Sequence, residues 1–283
     1  MRYYDQEHRR LVYIKENATP EFWDRQWEDE KLKKSIIAGA KERFVYPITK
    51  KFLSPGSKVL EGGCGKGQFV YSLHARGYEA HGVDFAPKTV EKITSLIPEL
   101  KIHLGDVRKL DLPDESFDGY WSLGVIEHFP EGYEAIGREM HRVLRTGGYL
   151  FLTFPYMSPL RRLKALLGLY PKHDPAKFDR EHFYQFALSS ESVIRNFTNW
   201  GFELVWKKPY EGFKGFKDET GPLKPFFQAI YNNKSFLAQG IAFILSTLLA
   251  PISGHTILLV LRKKHRYEIS SRSVSTLPSP VCA

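Results

Sequence analysis

Cysteine is scarce in this chain: 283 residues hold two, Cys64 and Cys282. No disulfide framework and no cysteine-rich metal site is available, and a reducing compartment fits. Cys282 lies one residue from the end, the wrong spacing for prenylation. The opening Met1-Arg2-Tyr3-Tyr4-Asp5 lacks the apolar stretch of a secretory signal, so a cytoplasmic protein is expected. The phosphate-loop pattern G-x-x-x-x-G-K-S/T is missing. So is any internal repeat. At 42% hydrophobic and 26% charged, the composition excludes collagen-like, wholly disordered and multi-span membrane proteins. It leaves enough chain for a sizeable core.

Charge is unevenly spread. Residues 1–150 hold 23 of the 41 Lys and Arg and 23 of the 32 Asp and Glu, so the whole net charge of +9 falls in 151–283. Such asymmetry suits an anionic partner: a membrane surface, a phosphorylated substrate or a nucleic acid. A generically basic surface is the alternative.

Residues 1–50 are polar and aromatic and read as an N-terminal helical cap. Trp23 and Trp27 fall four apart on one helical face, either as a lid helix packed on the core or as part of an ordinary amphipathic helix. From residue 58 the texture alternates. Strands are predicted at 58–61, 78–84, 100–104, 117–123 and 149–154. Helices are predicted near 67–76, from Pro87 to about 97 and near 131–144, the last capped by Thr146-Gly147-Gly148. This alternation predicts an α/β fold with a parallel sheet covered on both faces. Residues 155–188 interrupt it with a basic amphipathic stretch at 160–167. A helix at 190–199 and strands at 201–207 and 255–261 follow. The tail 266–283, rich in Ser and Pro, is predicted to be disordered.

The first chemical signal is Glu61-Gly62-Gly63-Cys64-Gly65-Lys66-Gly67, between a strand and a helix. Closely spaced glycines let backbone approach a ligand. The spacing is G-x-G-x-G, not the G-x-G-x-x-G of dinucleotide sites. Glu61 at the loop would repel a pyrophosphate and suits a cation. Asp84 ends the second strand about twenty residues past the loop, placed to accept from ribose hydroxyls. Gly105-Asp106-Val107 follows the third strand, where a carboxylate can meet an exocyclic amino group.

The run 59–67 resembles motif I, E/D-x-G-x-G-x-G, of class I S-adenosylmethionine-dependent methyltransferases. Gly82-Val83-Asp84 resembles that family's ribose-binding acid, and Gly105-Asp106-Val107 its adenine-contacting position. The segment from Phe117-Asp118 through Ser122-Leu123-Gly124-Val125-Ile126-Glu127-His128-Phe129 is similar to motif IV and its sequel. Arg142 to Leu150 is similar to the turn into the fifth strand. The resemblance is close over roughly 55–155 and loose to 262. It implies a Rossmann-like, doubly wound seven-stranded sheet of order 3-2-1-4-5-7-6 with the last strand antiparallel. It implies a methyltransferase domain at 51–265 with insertions at 155–188 and 208–254. It implies S-adenosyl-L-methionine as cofactor, met by Glu61, Gly62, Gly63, Gly65, Gly67, Asp84, Phe85, Asp106, Val107 and Leu123, with no metal.

A general base is less legible. His128 follows the fourth strand, where the pocket of that family opens, and an unperturbed His titrates near neutrality. A packing or capping role for it is the alternative. His182, in the segment between strands five and six, is the second candidate; Tyr184 and His173 are weaker.

Residues 235–261 contain no Asp, Glu, Lys or Arg. Pro251, Ser253, Gly254 and His255 interrupt the run, and the template takes 255–261 into the sheet. The remaining 235–250 reads as an apolar helix that must be buried against the domain, in a homodimer interface or in the outer layer of a membrane. Lys214, Lys217, Lys224, Lys234, Arg262, Lys263, Lys264 and Arg266 flank it, which suits an anionic membrane surface. The expected function is methyl transfer by in-line displacement to a small-molecule, lipid or lipid-linked acceptor. A non-catalytic cofactor-binding module at a membrane and a nicotinamide oxidoreductase are the alternatives. No nucleic acid is expected, because Ser122-Leu123-Gly124-Val125 stands where amino-methylating nucleic-acid enzymes carry Asn/Asp-Pro-Pro-Tyr.

Overall fold

A computed structural model describes residues 1–233 and 235–264; Lys234, Arg266, Cys282 and the tail predicted at 266–283 lie outside the described residues. The chain opens with a hairpin, β1 (Arg2–Asp5) and β2 (Arg10–Ile14). Three helices follow: α1 (Pro20–Trp27), α2 (Leu32–Ala38) and α3 (Val45–Thr49). Alternation then begins with β3 (Lys58–Gly62), α4 (Gln68–His74), β4 (Glu79–Asp84), α5 (Pro87–Leu96), β5 (Lys101–Leu104), β6 (Phe117–Leu123), α6 (Glu134–Val143) and β7 (Leu144–Pro155). The second part adds α7 (Pro159–Leu166), β8 (Phe183–Ala187), α8 (Ser190–Asn199), β9 (Phe202–Tyr210), α9 (Gly212–Glu219), α10 (Lys224–Asn232), α11 (Phe236–Ser253) and β10 (Thr256–Lys263).

The main sheet has seven strands in the order β5-β4-β3-β6-β7-β10-β9. In chain order of its own strands this is the predicted 3-2-1-4-5-7-6. The strand β10 runs antiparallel to both neighbours, while β3 to β7 pair in parallel. Side chains alternate between two cores, one on each face. Leu60, Tyr120, Leu152 and Leu259 join one; Val59, Trp121, Phe151 and Leu258 join the other. A strand buried on both faces reads as a continuous apolar run, which is why 256–261 resembled a membrane segment by composition.

Two expectations change. Residues 1–50 are not all helical: Leu11 and Val12 are fully buried because β2 pairs antiparallel with β8, making a second sheet, β1-β2-β8. The pairing with β1 is local, but the strand that completes the sheet, β8, lies far along the chain. The residues Thr146-Gly147-Gly148 do not cap α6. That helix ends at Val143 with Leu144 already extended. Gly147 (φ 82°) instead turns a bulge, where Phe117 opposes Leu144 but Gly119 opposes Tyr149.

The helix predicted at 235–250 runs on to Ser253 through Pro251. Its inner face packs on α9, α7, α10 and β9, where Gly212 and Gly215 permit backbone approach. A Cβ on either would meet α11 backbone within 2.5 Å. Its outer face leaves Phe236, Ile241, Phe243, Ile244, Leu248 and Ile252 exposed. Among the described residues no helix is long and apolar enough to cross a membrane.

Candidate functional site

Two cavities meet at the carboxyl ends of β3, β4 and β6. The smaller, about 360 Å³, is bounded by Gly63, Asp84, Phe85, Asp106, Val107 and Leu123. All six are residues that sequence singled out. Its volume lies in the usual range for a small-molecule site.

The glycine loop makes the smaller cavity possible. Gly63 has φ 74°, and a Cβ there would meet Val125 at 2.6 Å. Gly65 (φ 49°) donates its N–H to Asp84 Oδ2 at 2.7 Å, and a Cβ there would meet the Trp27 ring at 3.0 Å. Gly62 and Gly67 serve packing rather than the cavity wall. A Cβ would meet Tyr120 Oη at 1.9 Å at the first and Ile102 at 2.4 Å at the second. Glu61 is likewise behind the loop, not at its mouth, because β3 pairs on both sides through it. It is buried, its Oε2 has no partner, and burial, then the nearby Asp84, hold its carboxyl well above the usual range. A buried carboxyl with an unused oxygen is a place that a nearby cation would relieve.

Asp84 accepts from Gly65 N–H and, at 3.0 Å, from Ala86 N–H. Each carboxylate oxygen keeps a further lone pair. Burial raises its pKa despite these bonds. Asp106 is already engaged. Arg108 Nε reaches both of its oxygens at 3.0 Å and Nη2 reaches Oδ2 at 2.6 Å. Arg108 also pairs with Glu131 and lies 5.1 Å from the Phe129 ring centre. An arginine two residues on is the partner that sequence left unassigned.

Of the two readings of Trp23 and Trp27, the structure gives the lid. Both line the smaller cavity, stacked at 5.3 Å, and Trp23 meets the His128 ring edge-on at 5.2 Å. The helix α1 is held there by Asp24, which accepts from Thr89 N–H (2.9 Å) and Oγ1 (2.8 Å) at the start of α5. At its own start Thr19 caps Phe22 N–H.

The larger cavity, about 810 Å³, shares Leu123, Gly124 and His128 with the first. Aromatic walls come from Phe44, Phe69, Phe154 and Tyr210, and Ser246 of α11 closes one side. The Nδ1 of His128 lies 2.7 Å from the Tyr184 carbonyl. A carbonyl only accepts, so the proton sits on Nδ1 and Nε2 keeps its lone pair. Burial pulls the pKa of His128 down to about 4, which leaves it neutral and weakly basic. His182 lines neither cavity. It lies in the turn before β8, where its exposed ring pairs with Asp179 at 2.8 Å, whereas Tyr184 and Gln185 of β8 itself border the cavity. His173 also lines neither; it packs on Phe178.

Sequence reasoning missed Glu127, Glu211, Lys214 and His255, all in the larger cavity. Glu127 carried a signal: a carboxylate between Ile126 and His128 directly after a glycine turn. The others belong to distant segments and carried none. Glu211 binds Lys214 (3.1 Å) and Thr256 Oγ1 (2.7 Å). His255 Nδ1 accepts from Arg161 at 3.0 Å, and burial, then Arg161, hold its pKa down to about 2. Arg161 in turn belongs to a buried cluster around Glu219, which binds Arg2 (2.6 Å), Arg161 (3.1 Å), Lys164 (2.8 Å) and Tyr170 (2.7 Å). That cluster ties the N-terminal hairpin, α7 and α9 into one wall.

Comparison with known proteins agrees with this geometry. Residues 60–152 match the family model described as a methyltransferase domain. A 2-methyl-6-phytyl-1,4-hydroquinone methyltransferase of Synechocystis is 34% identical over 102 residues, 35% of this chain and 32% of that protein. A ubiquinone biosynthesis O-methyltransferase of Pseudomonas syringae is 31% identical, covering 44% and 59%. A demethylmenaquinone methyltransferase of Lysinibacillus sphaericus is 29% identical, covering 56% and 76%. The chain thus spans about a third to three quarters of the length of these curated relatives. Among solved structures, an S-adenosylmethionine-dependent methyltransferase of Methanosarcina mazei shares the fold. Its TM-score is 0.52 at 17% identity over 78% of this chain and 99% of that one. With the sheet order, the glycine loop and the rim carboxylates in place, residues 60–152 form a methyltransferase domain with the fold of S-adenosylmethionine-dependent methyltransferases.

Proposed function

We propose that this protein transfers the methyl group of S-adenosylmethionine to an amphipathic small molecule with a lipid-like tail, taken from an anionic membrane surface. The observation that carries the reading is the meeting of the two cavities at Leu123, Gly124 and His128. A donor in the smaller cavity and an acceptor in the larger would touch there. Positioning of this kind supplies about 7–11 kcal/mol of a two-body barrier. Bound S-adenosylmethionine supplies a methyl group made electrophilic by its sulfonium. Asp84 would hold the ribose through its spare lone pairs, and Asp106 with Arg108 the adenine edge. Glu61 would lower the cost of a cation near the loop. Trp23 offers a ring face to that cation.

Three relatives are named for the methylation of quinone-type molecules or for their biosynthesis, which supports an aromatic head and an apolar tail. Cavity chemistry agrees: aromatic walls with a few polar groups. The membrane part rests on α11 and its neighbours. Beside the outer face of α11, Leu166 and Leu167 of the α7 end and Leu223 and Phe226 before and in α10 are exposed. The stretches 159–173 and 220–264 hold no Asp or Glu, so nothing on these elements repels an anionic surface.

Calorimetry with S-adenosylmethionine and labelled-methyl transfer into a lipid extract test the enzyme; binding without transfer would make it a cofactor-binding module instead. Sedimentation with phosphatidylglycerol vesicles tests the surface. Protein left in the supernatant, and a dimer by ultracentrifugation, would assign the apolar face to self-association.

A further inference from the structure

We propose that Glu127 takes up the proton released by the acceptor, and that the group methylated is an acidic hydroxyl of the phenol or enol class. The inference rests on the methyl-transfer reading above and adds its proton path. Glu127 sits in a short turn, Ile126–His128, reached through Gly124 at φ 70°. Its Oε1 lies 3.3 Å from where a Cβ on Gly124 would be, and Gly124 borders both cavities. The carboxyl is therefore beside the passage that a methyl group would cross. It is 2% exposed, and its Oε2 has no hydrogen-bond partner.

Every other group facing it across the cavity is occupied or too weak. His128 is neutral with a pKa near 4. His255 has its Nδ1 bonded to Arg161. Glu211 is shared by Lys214 and Thr256. Burial raises Tyr184 and Tyr210, so they stay protonated. Burial also pushes the Glu127 carboxyl up to about 8. That brings it toward a phenol, ordinarily about 10, and proton transfer is efficient when the two match. In the step, the hydroxyl O–H bond breaks and its proton goes to the ionised Glu127. The new O–CH₃ bond forms as the methyl–sulfur bond breaks, with that electron pair left on a neutral thioether. Solvent takes the proton before the next cycle.

The test compares nonylcatechol, nitrocatechol (ionised near neutral pH) and nonylaniline as acceptors of labelled methyl from S-adenosylmethionine. Glu127→Gln should keep cofactor affinity by calorimetry. It should lose about 10²–10⁴-fold on nonylcatechol and much less on nitrocatechol, whose proton is already gone. Glu127→Asp should recover part of the loss. Without any acceptor, infrared difference spectra should show the C=O band of a buried protonated acid in the wild type. Glu61 keeps its own band in Glu127→Gln, so the Glu127 band is the wild-type excess over that variant, and it should fade as pH passes about 8. Equal losses on both catechols, or no such band, would overturn the assignment. Transfer to the aniline alone would overturn the hydroxyl while leaving methyl transfer intact. No transfer to any probe, with cofactor bound and the band present, would remove the enzyme reading and the proton path with it.

Discussion

The wall of the smaller cavity comes from strand ends and turns within 63–131 and from a lid at 17–27, whereas the larger draws on residues from Phe44 to Thr256. The difference is physical. A parallel βαβ unit places its strand ends at one rim, so a ligand there is met by residues at fixed offsets from each strand. The acceptor side has no such repeat. It is assembled where α3, α4, the turn after β6, β8, α9, α11 and β10 converge, and it is held by the buried charges around Glu219. One side is thus specified locally and the other by contacts across most of the chain.

The sharpest way to break this contrast is to open the clamp. Arg161→Ala leaves Glu219 with fewer cations and removes the donor to His255. It should cost about 3 kcal/mol of stability, read by chemical denaturation, and should spare the cofactor cavity in any molecules still folded. Asp84→Ala attacks the other side. Losing hydrogen bonds to a charged group, at about 1.5–3 kcal/mol, should weaken S-adenosylmethionine by about 10–100-fold in calorimetry while the fold persists. Unchanged affinity would remove Asp84 from the ribose role.

The third test uses pH. The folded state holds the Glu127 proton up to about 8, while an unfolded Glu releases it near its ordinary value of 4.5. Between those values the folded state binds more protons, so wild-type stability should fall as pH rises, by at most about 1.4 kcal/mol per pH unit. Glu127→Gln lacks that slope. Its melting temperature should gain on the wild type from about 4.5 to about 8 and run parallel outside that window.

The smallest effect on stability is expected on the apolar face. Phe243→Ser with Leu248→Ser removes exposed side chains and should change folding stability by no more than about 0.5 kcal/mol. The same pair should release the protein from anionic vesicles, since each apolar side chain that leaves the lipid forfeits about 1.5–3 kcal/mol. Vesicle binding that survives both changes would point to another surface.

Legibility followed the same divide. Strands over 58–155 were readable because their apolar runs, glycine turns and Pro87 are local signals. Asp84 was readable from its distance to the loop. The role of Arg108 was not, since nothing in Asp106-Val107-Arg108 says which way the guanidinium folds back. The hairpin β1–β2 pairs locally and its Tyr, Leu and Val content suits strands, so only its joining to the remote β8 was illegible. His128 was legible as a base or a packing residue, but its Nδ1 bond to the Tyr184 carbonyl and the burial that keeps it neutral were not. His182, the second candidate, sits in the turn before β8 with its ring in solvent.

By itself the sequence determined the alternating architecture, the glycine loop and the carboxylates at the sheet rim, because each depends on residues close in the chain. Only the tertiary structure decided which carboxylates lie bare and which are paired. It also decided that Trp23 closes the first cavity and that Glu127 and His255 share the second. Burial and hydrogen bonding are set by neighbours that the chain brings together only on folding, and those neighbours fix protonation and tautomer.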